Sequence, residues 1–79
     1  MPELSFDTTL HQIKGHTILL LPLDVSQKLP SRGMVMAHAS IDQIPLVAAL
    51  EPDGRKSHWF FTSGNNGQTV SVCLTPIER

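Results

Sequence analysis

The chain has 79 residues and a formal net charge of −1, and its 6 Lys and Arg residues are scattered along the sequence. This length predicts one domain that is only marginally stable alone, and this charge disfavours nucleic acid as a partner, because phosphate-backbone binding needs a basic surface. A single cysteine excludes an internal disulfide, and without a leader pattern or a long apolar run we expect a cytoplasmic protein that does not enter the membrane.

The first part of the chain predicts two strands and at most one short helix. Leu4 to Ile13 alternates between apolar and polar side chains over most of its length, and the turn signal Lys14-Gly15 follows it. His16 to Leu21 is predicted as a second strand, and its continuous apolar run is typical of a strand covered on both faces. Asp24 to Leu29 predicts one or two helical turns, with Asp24 as the N-cap.

The stretch from Met34 to Glu51 predicts one β-hairpin with a two-residue loop at Asp42-Gln43. That loop places four apolar pairs on one side of the hairpin: Val35 with Leu50, Ala37 with Ala48, Ala39 with Leu46, and Ile41 with Ile44. A slip of one residue would mix His38 and Ser40 into this side, so the pattern specifies the register.

The opposite side of the hairpin is more apolar than a normal solvated surface. It is a possible dimer surface with these candidate residues: Met34, Met36, His38 and Val47. Methionine repacks easily, which suits an adaptable contact surface. Coverage by the short helix is the competing interpretation.

The remaining chain predicts two more strands. The tight-turn sequence Glu51-Pro52-Asp53-Gly54 precedes an aromatic strand over Ser57 to Thr62, and Gln68 to Leu74 forms a last strand that Pro76 ends. The consecutive aromatic residues of the fifth strand must point to both of its faces. Six short strands with almost no helical period predict an all-β, six-stranded barrel over residues 1–79.

Several segments carry a resemblance to a known family. They are Leu29-Pro30-Ser31-Arg32-Gly33, Leu50-Glu51-Pro52-Asp53-Gly54, Ser57-His58-Trp59-Phe60 and Val70-Ser71-Val72-Cys73-Leu74. In these segments the chain resembles an uncharacterised bacterial and archaeal domain of unknown function, often fused ahead of a bacteriocin-protection (YdeI/OmpD-associated) region. The resemblance implies a double-split β-barrel, a fold shared with AbrB-type transcription factors and MazE-type antitoxins, and it brings no activity and no cofactor.

The chain departs from this family between its last two strands. The family pattern has a short helix there, whereas only Thr62 to Gln68 separates the two strands in this chain. Without that helix, apolar surface is left for another element to cover, and we therefore predict a homodimer. The alternative is that the last two strands simply form a hairpin.

One group of residues is the candidate rim for a ligand or partner: Arg32, Asp53, Arg55, His58 and Trp59. The loops that hold Arg32 and Asp53 leave from paired ends of the hairpin, so these two residues should lie near one another. Trp59 would form an apolar floor for a small molecule or peptide, and Arg32 would hold an anion. A surface ion pair of little energetic weight is the simpler interpretation.

The sequence contains no metal or catalytic signature. Four histidines are the metal candidates: His11, His16, His38 and His58. They are spread over different strands without the close pairing that zinc sites show, and Cys73 is expected to be a small buried apolar residue. Serine, histidine and aspartate are present, but no nucleophile elbow accompanies them, so we expect no catalytic residues.

The sequence therefore predicts a non-enzymatic binding or assembly module, homodimeric and without a cofactor or metal. Two alternatives remain open. One is a DNA-binding regulator of the AbrB or antitoxin type, with Arg32, Arg55 and Lys56 as its contacts, and it rests on fold analogy. The other is an enzyme of unidentified class.

Overall fold

The computed structural model describes residues 3–54 and 57–77. These contain six strands and one helix, in chain order β1 (Leu4–Ile13), β2 (His16–Leu20), α1 (Leu23–Ser26), β3 (Val35–Ile41), β4 (Ile44–Pro52), β5 (His58–Thr62) and β6 (Thr69–Pro76). All neighbouring strands are antiparallel, and they close a barrel in the order β1-β2-β5-β4-β3-β6. The predicted all-β, six-stranded barrel with one short helix is confirmed.

Strands β1 and β4 each pair with one neighbouring strand over one part of their length and with another neighbour over the rest. In β1, residues 4–9 pair with β6 and residues 10–13 pair with β2. In β4, residues 44–50 pair with β3, whereas only Glu51 and Pro52 pair with β5. Strands β4 and β5 therefore separate after two residue pairs. Within the described chain, no strand pairs with the outer edge of β4 at residues 45–49.

The central hairpin has the predicted register, from Val35 opposite Leu50 to Ile41 opposite Ile44. Its loop residues Asp42 and Gln43 have φ angles of 48° and 72°. Two successive positive φ values match the turn type whose twist suits two antiparallel strands. The apolar side of the hairpin faces the barrel interior, except that Ile44, at the turn end, is 69% exposed.

The core lies inside the barrel and receives side chains from every strand. Its largest fully buried members are Phe60, Leu10, Leu19, Leu21, Leu50, Leu74 and Val72. Burial of one such side chain stabilises a fold by about 1.5–3 kcal/mol. The core therefore depends on the inward half of each strand, and the outward half is available for other contacts.

The helix is shorter than predicted and begins differently. α1 spans Leu23–Ser26, and its N-cap is Pro22, with no side-chain hydrogen bond to the cap. The prediction that Asp24 caps the helix was wrong, because Asp24 already lies in its first turn. Val25 and Ser26 are buried, so this short helix packs against the barrel.

Two further expectations are corrected in β2 and β6. The apolar run of β2 is covered on one face only, since Leu19 is fully buried whereas Leu20 is 37% exposed. Strand β6 continues to Pro76, which pairs with Ala37, rather than ending before it. Cys73 is only half-buried, because it lies on the outward face of β6.

Candidate functional site

An apolar groove runs over the outward face of β1, β2 and β5. Its lining, here called the aromatic groove, consists of Ile13, Lys14, His16, Ile18, Leu20, Asp53, Trp59 and Phe61. The cavity has a volume of about 450 Å³. This volume is within the roughly 300–1,000 Å³ that is usual for small-molecule sites.

Strand alternation explains how the groove forms. In β5, His58 and Phe60 point inward and are buried, so Trp59 and Phe61 point outward. The strand register places Leu20 opposite Trp59 and Ile18 opposite Phe61. A solvated sheet face normally carries polar residues at these positions, whereas here the outward residues of both strands are mainly apolar.

The rings in the groove hold one another in place. Trp59 and Phe61 pack edge to face, with ring centroids 4.8 Å apart and an interplanar angle of 85°. His16 lies against Phe61 at 5.5 Å, with its ring tilted by 56°. Edge-to-face packing is a preferred aromatic geometry, worth about 0.5–1.5 kcal/mol beyond area burial. Phe61 nevertheless remains 59% exposed, so the groove presents an ordered but uncovered aromatic surface.

Charged side chains of opposite sign also line the groove. Lys14 lies in the β1–β2 turn with a φ of 52°, and Asp53 lies in the loop after β4. The backbone N–H of Asp53 donates to the carbonyl oxygen of Ser57 at 3.0 Å, and the N–H of Ser57 donates to Asp53 Oδ1 at 3.3 Å. These two bonds fix the loop and hold Asp53 beside the apolar floor.

The predicted ligand rim is divided between two cavities. Trp59 and Asp53 line the aromatic groove. Arg32 and His58 line a second cavity of about 400 Å³, the helix cavity, whose remaining lining is Ser26, Gln27, Leu29, Pro30 and Ser31. The division arises because His58 and Trp59 are consecutive in a strand and point to opposite faces. Arg55 and Lys56 lie outside the described residues.

His58 is deeply buried rather than an edge histidine, with 2% of its surface exposed. Its backbone N–H donates to Ser26 Oγ at 2.9 Å, and its Nε2 lies 2.9 Å from the carbonyl oxygen of Gly33. A carbonyl only accepts hydrogen bonds, so Nε2 carries a proton, and in the neutral ring Nδ1 is then the acceptor. Within the described chain this buried Nδ1 has no hydrogen-bond partner. The sequence signal for the burial of His58 is its spacing of two residues from Phe60, which places both side chains on the same face of the strand.

Three residues of the possible dimer surface, Met36, His38 and Val47, lie on the outward face of β3 and β4, and the fourth, Met34, directly precedes β3. Val47 is 57% exposed, Met34 56% and Met36 36%, and His38 is also exposed. The short helix therefore does not cover them. The N–H of Ile77 donates to the carbonyl oxygen of Met36 at 2.9 Å, which adds another exposed apolar residue beside this face.

The four histidines and Cys73 belong to five different strands. Among residues 3–54 and 57–77, no group of three or more His, Cys, Asp or Glu side chains could hold a metal ion. Cys73 Sγ lies 3.5 Å from Ser5 Oγ across the β1–β6 pair. The same residues include no helix with the length and apolar character to cross a membrane.

The family comparison agrees with the resemblance seen in the sequence. The model of a family described as a domain of unknown function (DUF1905) matches residues 6–61. This match spans the complete lining of both the aromatic groove and the helix cavity. Fusion to a bacteriocin-protection region stays a prediction. No curated protein matches the chain.

Proposed function

Because the chain belongs to the family of this domain of unknown function, whose description assigns no activity, we propose a function from its surfaces: a non-enzymatic module that binds an apolar, aromatic small molecule. The aromatic groove is the binding site in this proposal. The observation that carries it is the Trp59–Phe61 pair, which packs edge to face on an exposed surface instead of in the core.

A small molecule suits this groove better than a protein surface does. The groove is concave and its volume is in the range of small-molecule sites. Lys14 would orient a ligand that has an anionic end. Covering roughly 200 Å² of apolar surface would contribute about 5 kcal/mol before the entropic losses of association. Since about 5 kcal/mol corresponds to a dissociation constant of about 0.2 mM, we expect binding no tighter than that, with dissociation constants in the millimolar range.

The arrangement of Ser26 and His58 supports the non-enzymatic part of the proposal. Ser26 Oγ accepts a hydrogen bond from the backbone N–H of His58, not from its imidazole. A nucleophilic serine needs a base within hydrogen-bond reach of its hydroxyl. The imidazole is bonded instead through Nε2 to the carbonyl oxygen of Gly33.

Trp59 provides the test, because it is the only tryptophan in the chain. The fluorescent apolar anion anilinonaphthalenesulfonate should quench Trp59 emission saturably by energy transfer. Phe61→Ser should weaken this binding about fivefold or more. Val47→Ser is the matched control, since Val47 is 57% and Phe61 59% exposed. Equal effects of the two substitutions, or quenching that never saturates, would contradict the proposal.

Self-association is a second candidate function, favoured by the open edge of β4. In a hairpin with a two-residue loop, the closing pair Ile41–Ile44 exchanges hydrogen bonds, as does every second pair after it. The backbone groups of Val47 and Ala49 therefore point away from β3, towards the side where β5 has separated.

The edge favours a second copy of the chain as the partner. Two β4 edges can pair antiparallel around a two-fold axis near Val47, which would place the two exposed Val47 side chains beside each other and join the outward faces with Met34 and Met36 into one continuous sheet surface. Pro45 has no N–H and would limit such pairing at the turn end. The proposed dimer thus uses backbone hydrogen bonds and apolar contacts on the same side of the barrel.

The DNA-binding alternative has less support. Of its three predicted contacts, only Arg32 lies in the described residues, and it lines the helix cavity. A gel-shift titration at low salt tests this alternative, and binding that weakens steeply with added salt would favour it.

A further inference from the structure

We propose that Asn66 is a site of spontaneous modification, where the side-chain amide converts to aspartate or isoaspartate whenever the β5–β6 connection (residues 63–68) separates from β1. Asn66-Gly67 is the only place in the chain where glycine follows asparagine. Glycine has no side chain to shield its backbone nitrogen, so this nitrogen can approach the preceding side chain. The proposal does not depend on ligand binding at the aromatic groove, because neither residue lines it.

The reaction needs only water as a co-reactant. The backbone nitrogen of Gly67 loses its hydrogen and forms a bond to Cγ of Asn66, and the side-chain nitrogen leaves with that hydrogen as ammonia. Water then opens the resulting five-membered imide at one of its two carbonyl carbons. Opening at Cγ leaves an ordinary aspartate. Opening at the main-chain carbonyl leaves isoaspartate, whose backbone runs through the side chain and is one carbon longer.

Strand β1 holds both reacting groups in the folded chain. The N–H of Gly67 donates to the carbonyl oxygen of Leu10 at 2.9 Å. Asn66 Oδ1 accepts from the backbone N–H of Gln12, also at 2.9 Å. The carbonyl oxygen of Gln68 accepts from the N–H of Leu10 at 2.8 Å. The side-chain oxygen of Asn66 thus continues a run of backbone bonds between the connection and the end of β1.

Ring closure is incompatible with this arrangement. The imide nitrogen carries no hydrogen, so the bond from Gly67 to Leu10 must break before the ring can form. A base must also remove that hydrogen, which in the folded chain points at the Leu10 carbonyl and not at water. Amide hydrogen exchange begins with the removal of the same hydrogen. Both reactions should therefore be slowed by the same factor, which is set by how rarely the connection opens.

Gly64 provides a way to loosen the connection. Its φ is 144°, and a Cβ at this position would lie 2.6 Å from Leu10 Cδ1. Gly64→Ala should therefore push the connection away from β1 and accelerate the modification. Gly54→Ala is the matched control, because Gly54 has a φ of 82° with nothing within 4 Å. It adds backbone strain in a different loop without a clash.

Isoaspartate would act as an irreversible release of the connection. The atom that accepts from Gln12 becomes part of the backbone, and the extra carbon shifts Gly67 relative to it, so the bonds to β1 cannot all be kept. Asn66→Asp adds the same charge, keeps the backbone length and retains an oxygen that can accept from Gln12. Isoaspartate should therefore expose the Gln12 and Gly67 amides to exchange, and Asn66→Asp should not.

Peptide mapping of the full chain in mildly alkaline buffer measures the modification, and NMR hydrogen exchange at Gly67 measures the opening. Asn66 should be modified at least about tenfold more slowly in the folded chain than in the urea-unfolded chain. This ratio should match the Gly67 protection factor within about threefold. Gly64→Ala should raise the rate in the folded chain at least about threefold, and Gly54→Ala less than about 1.5-fold.

Equal rates in the folded and unfolded chains would overturn the proposal, as would rates that do not follow the Gly67 protection factor across the two variants. It is also overturned if isoaspartate leaves the Gln12 amide protected, or if Asn66→Asp exposes this amide equally. Should Gly64→Ala fail to fold, low urea concentrations vary the opening of the parent chain, and the same proportionality between modification and exchange is expected.

Discussion

His58 and Trp59 are consecutive in β5, and their side chains lie on opposite faces of the sheet. His58 is 2% exposed and lines the helix cavity, whereas Trp59 lines the aromatic groove. One peptide bond therefore separates a buried polar contact from an open apolar groove. The contacts of His58 and ligand binding at the groove are therefore separately testable.

The contact between Ser26 and His58 predicts a stability effect. Ser26→Ala removes the acceptor of the buried His58 N–H, 2.9 Å away, and should lower the free energy of unfolding by about 1–3 kcal/mol. Ser31→Ala is the control, because Ser31 Oγ accepts from the Gly33 N–H at an exposed site where water can replace it. Urea unfolding of both variants measures the difference, and equal losses would count against a special role for the buried bond.

Two glycines in the connection after β5 allow the cost of a steric clash to be distinguished from the cost of backbone strain when each is replaced by alanine. Gly64 has a φ of 144°, and a Cβ there would lie 2.6 Å from Leu10 Cδ1, whereas Gly67 has a φ of 83° with nothing within 4 Å. Gly67→Ala should cost about 1 kcal/mol through backbone strain alone. Gly64→Ala should cost about 1–3 kcal/mol more, because it presses on a fully buried leucine. Thermal unfolding in which Gly67→Ala is the more damaging change would contradict this geometry.

The hairpin loop predicts a stabilising substitution. Gln43 has a φ of 72°, which costs an ordinary side chain about 1 kcal/mol, so Gln43→Gly should raise the free energy of unfolding by up to about 1 kcal/mol. The same substitution at Gln27, whose φ is −67°, should lower it by about 0.5–1 kcal/mol. Denaturant midpoints that move in the same direction for both variants would disagree with the turn conformation.

The open β4 edge predicts how self-association responds to charge. Val47→Lys places a charge at the centre of the proposed dimer and should dissociate it, whereas Phe61→Lys on the opposite sheet should not. Sedimentation velocity on the two variants and the parent chain measures this. A parent chain that is monomeric at high micromolar concentration, or a dimer that only Phe61→Lys disrupts, would rule out the β4 interface.

The hairpin was predictable from the sequence to the residue, because strand alternation and a two-residue loop together allow one register between Val35 and Leu50. The end of β6 was not. Pro76 cannot donate to a ladder and was therefore expected to stop the strand, yet it still pairs with Ala37. Whether a proline ends a strand depends on whether its missing N–H would have faced a neighbouring strand. That depends on the sheet and not on the local sequence.

The candidate site was only partly predictable. Trp59 was identified as an apolar floor, but Phe61 and Ile13 were not assigned to it, although they complete the groove. The apolar run of β2 was interpreted as buried on both faces, since a sequence does not reveal which face lacks a covering layer. The sequence could have shown that Arg32 and Trp59 lie in different cavities. Strand alternation places His58, which shares a cavity with Arg32, on the face of β5 opposite to Trp59.

The isoleucine methyl spectrum reports directly on whether the aromatic groove is the ligand surface. Ile13 and Ile18 line the groove, Ile41 and Ile44 line a cleft between the hairpin and the β5–β6 connection, and Ile77 lies beside Met34 and Met36. In a titration with anilinonaphthalenesulfonate, we expect saturable shifts at Ile13 and Ile18, with the other three methyl signals unmoved. Shifts centred on Ile44 or Ile77, or no saturable shift at Ile13 and Ile18, would contradict it.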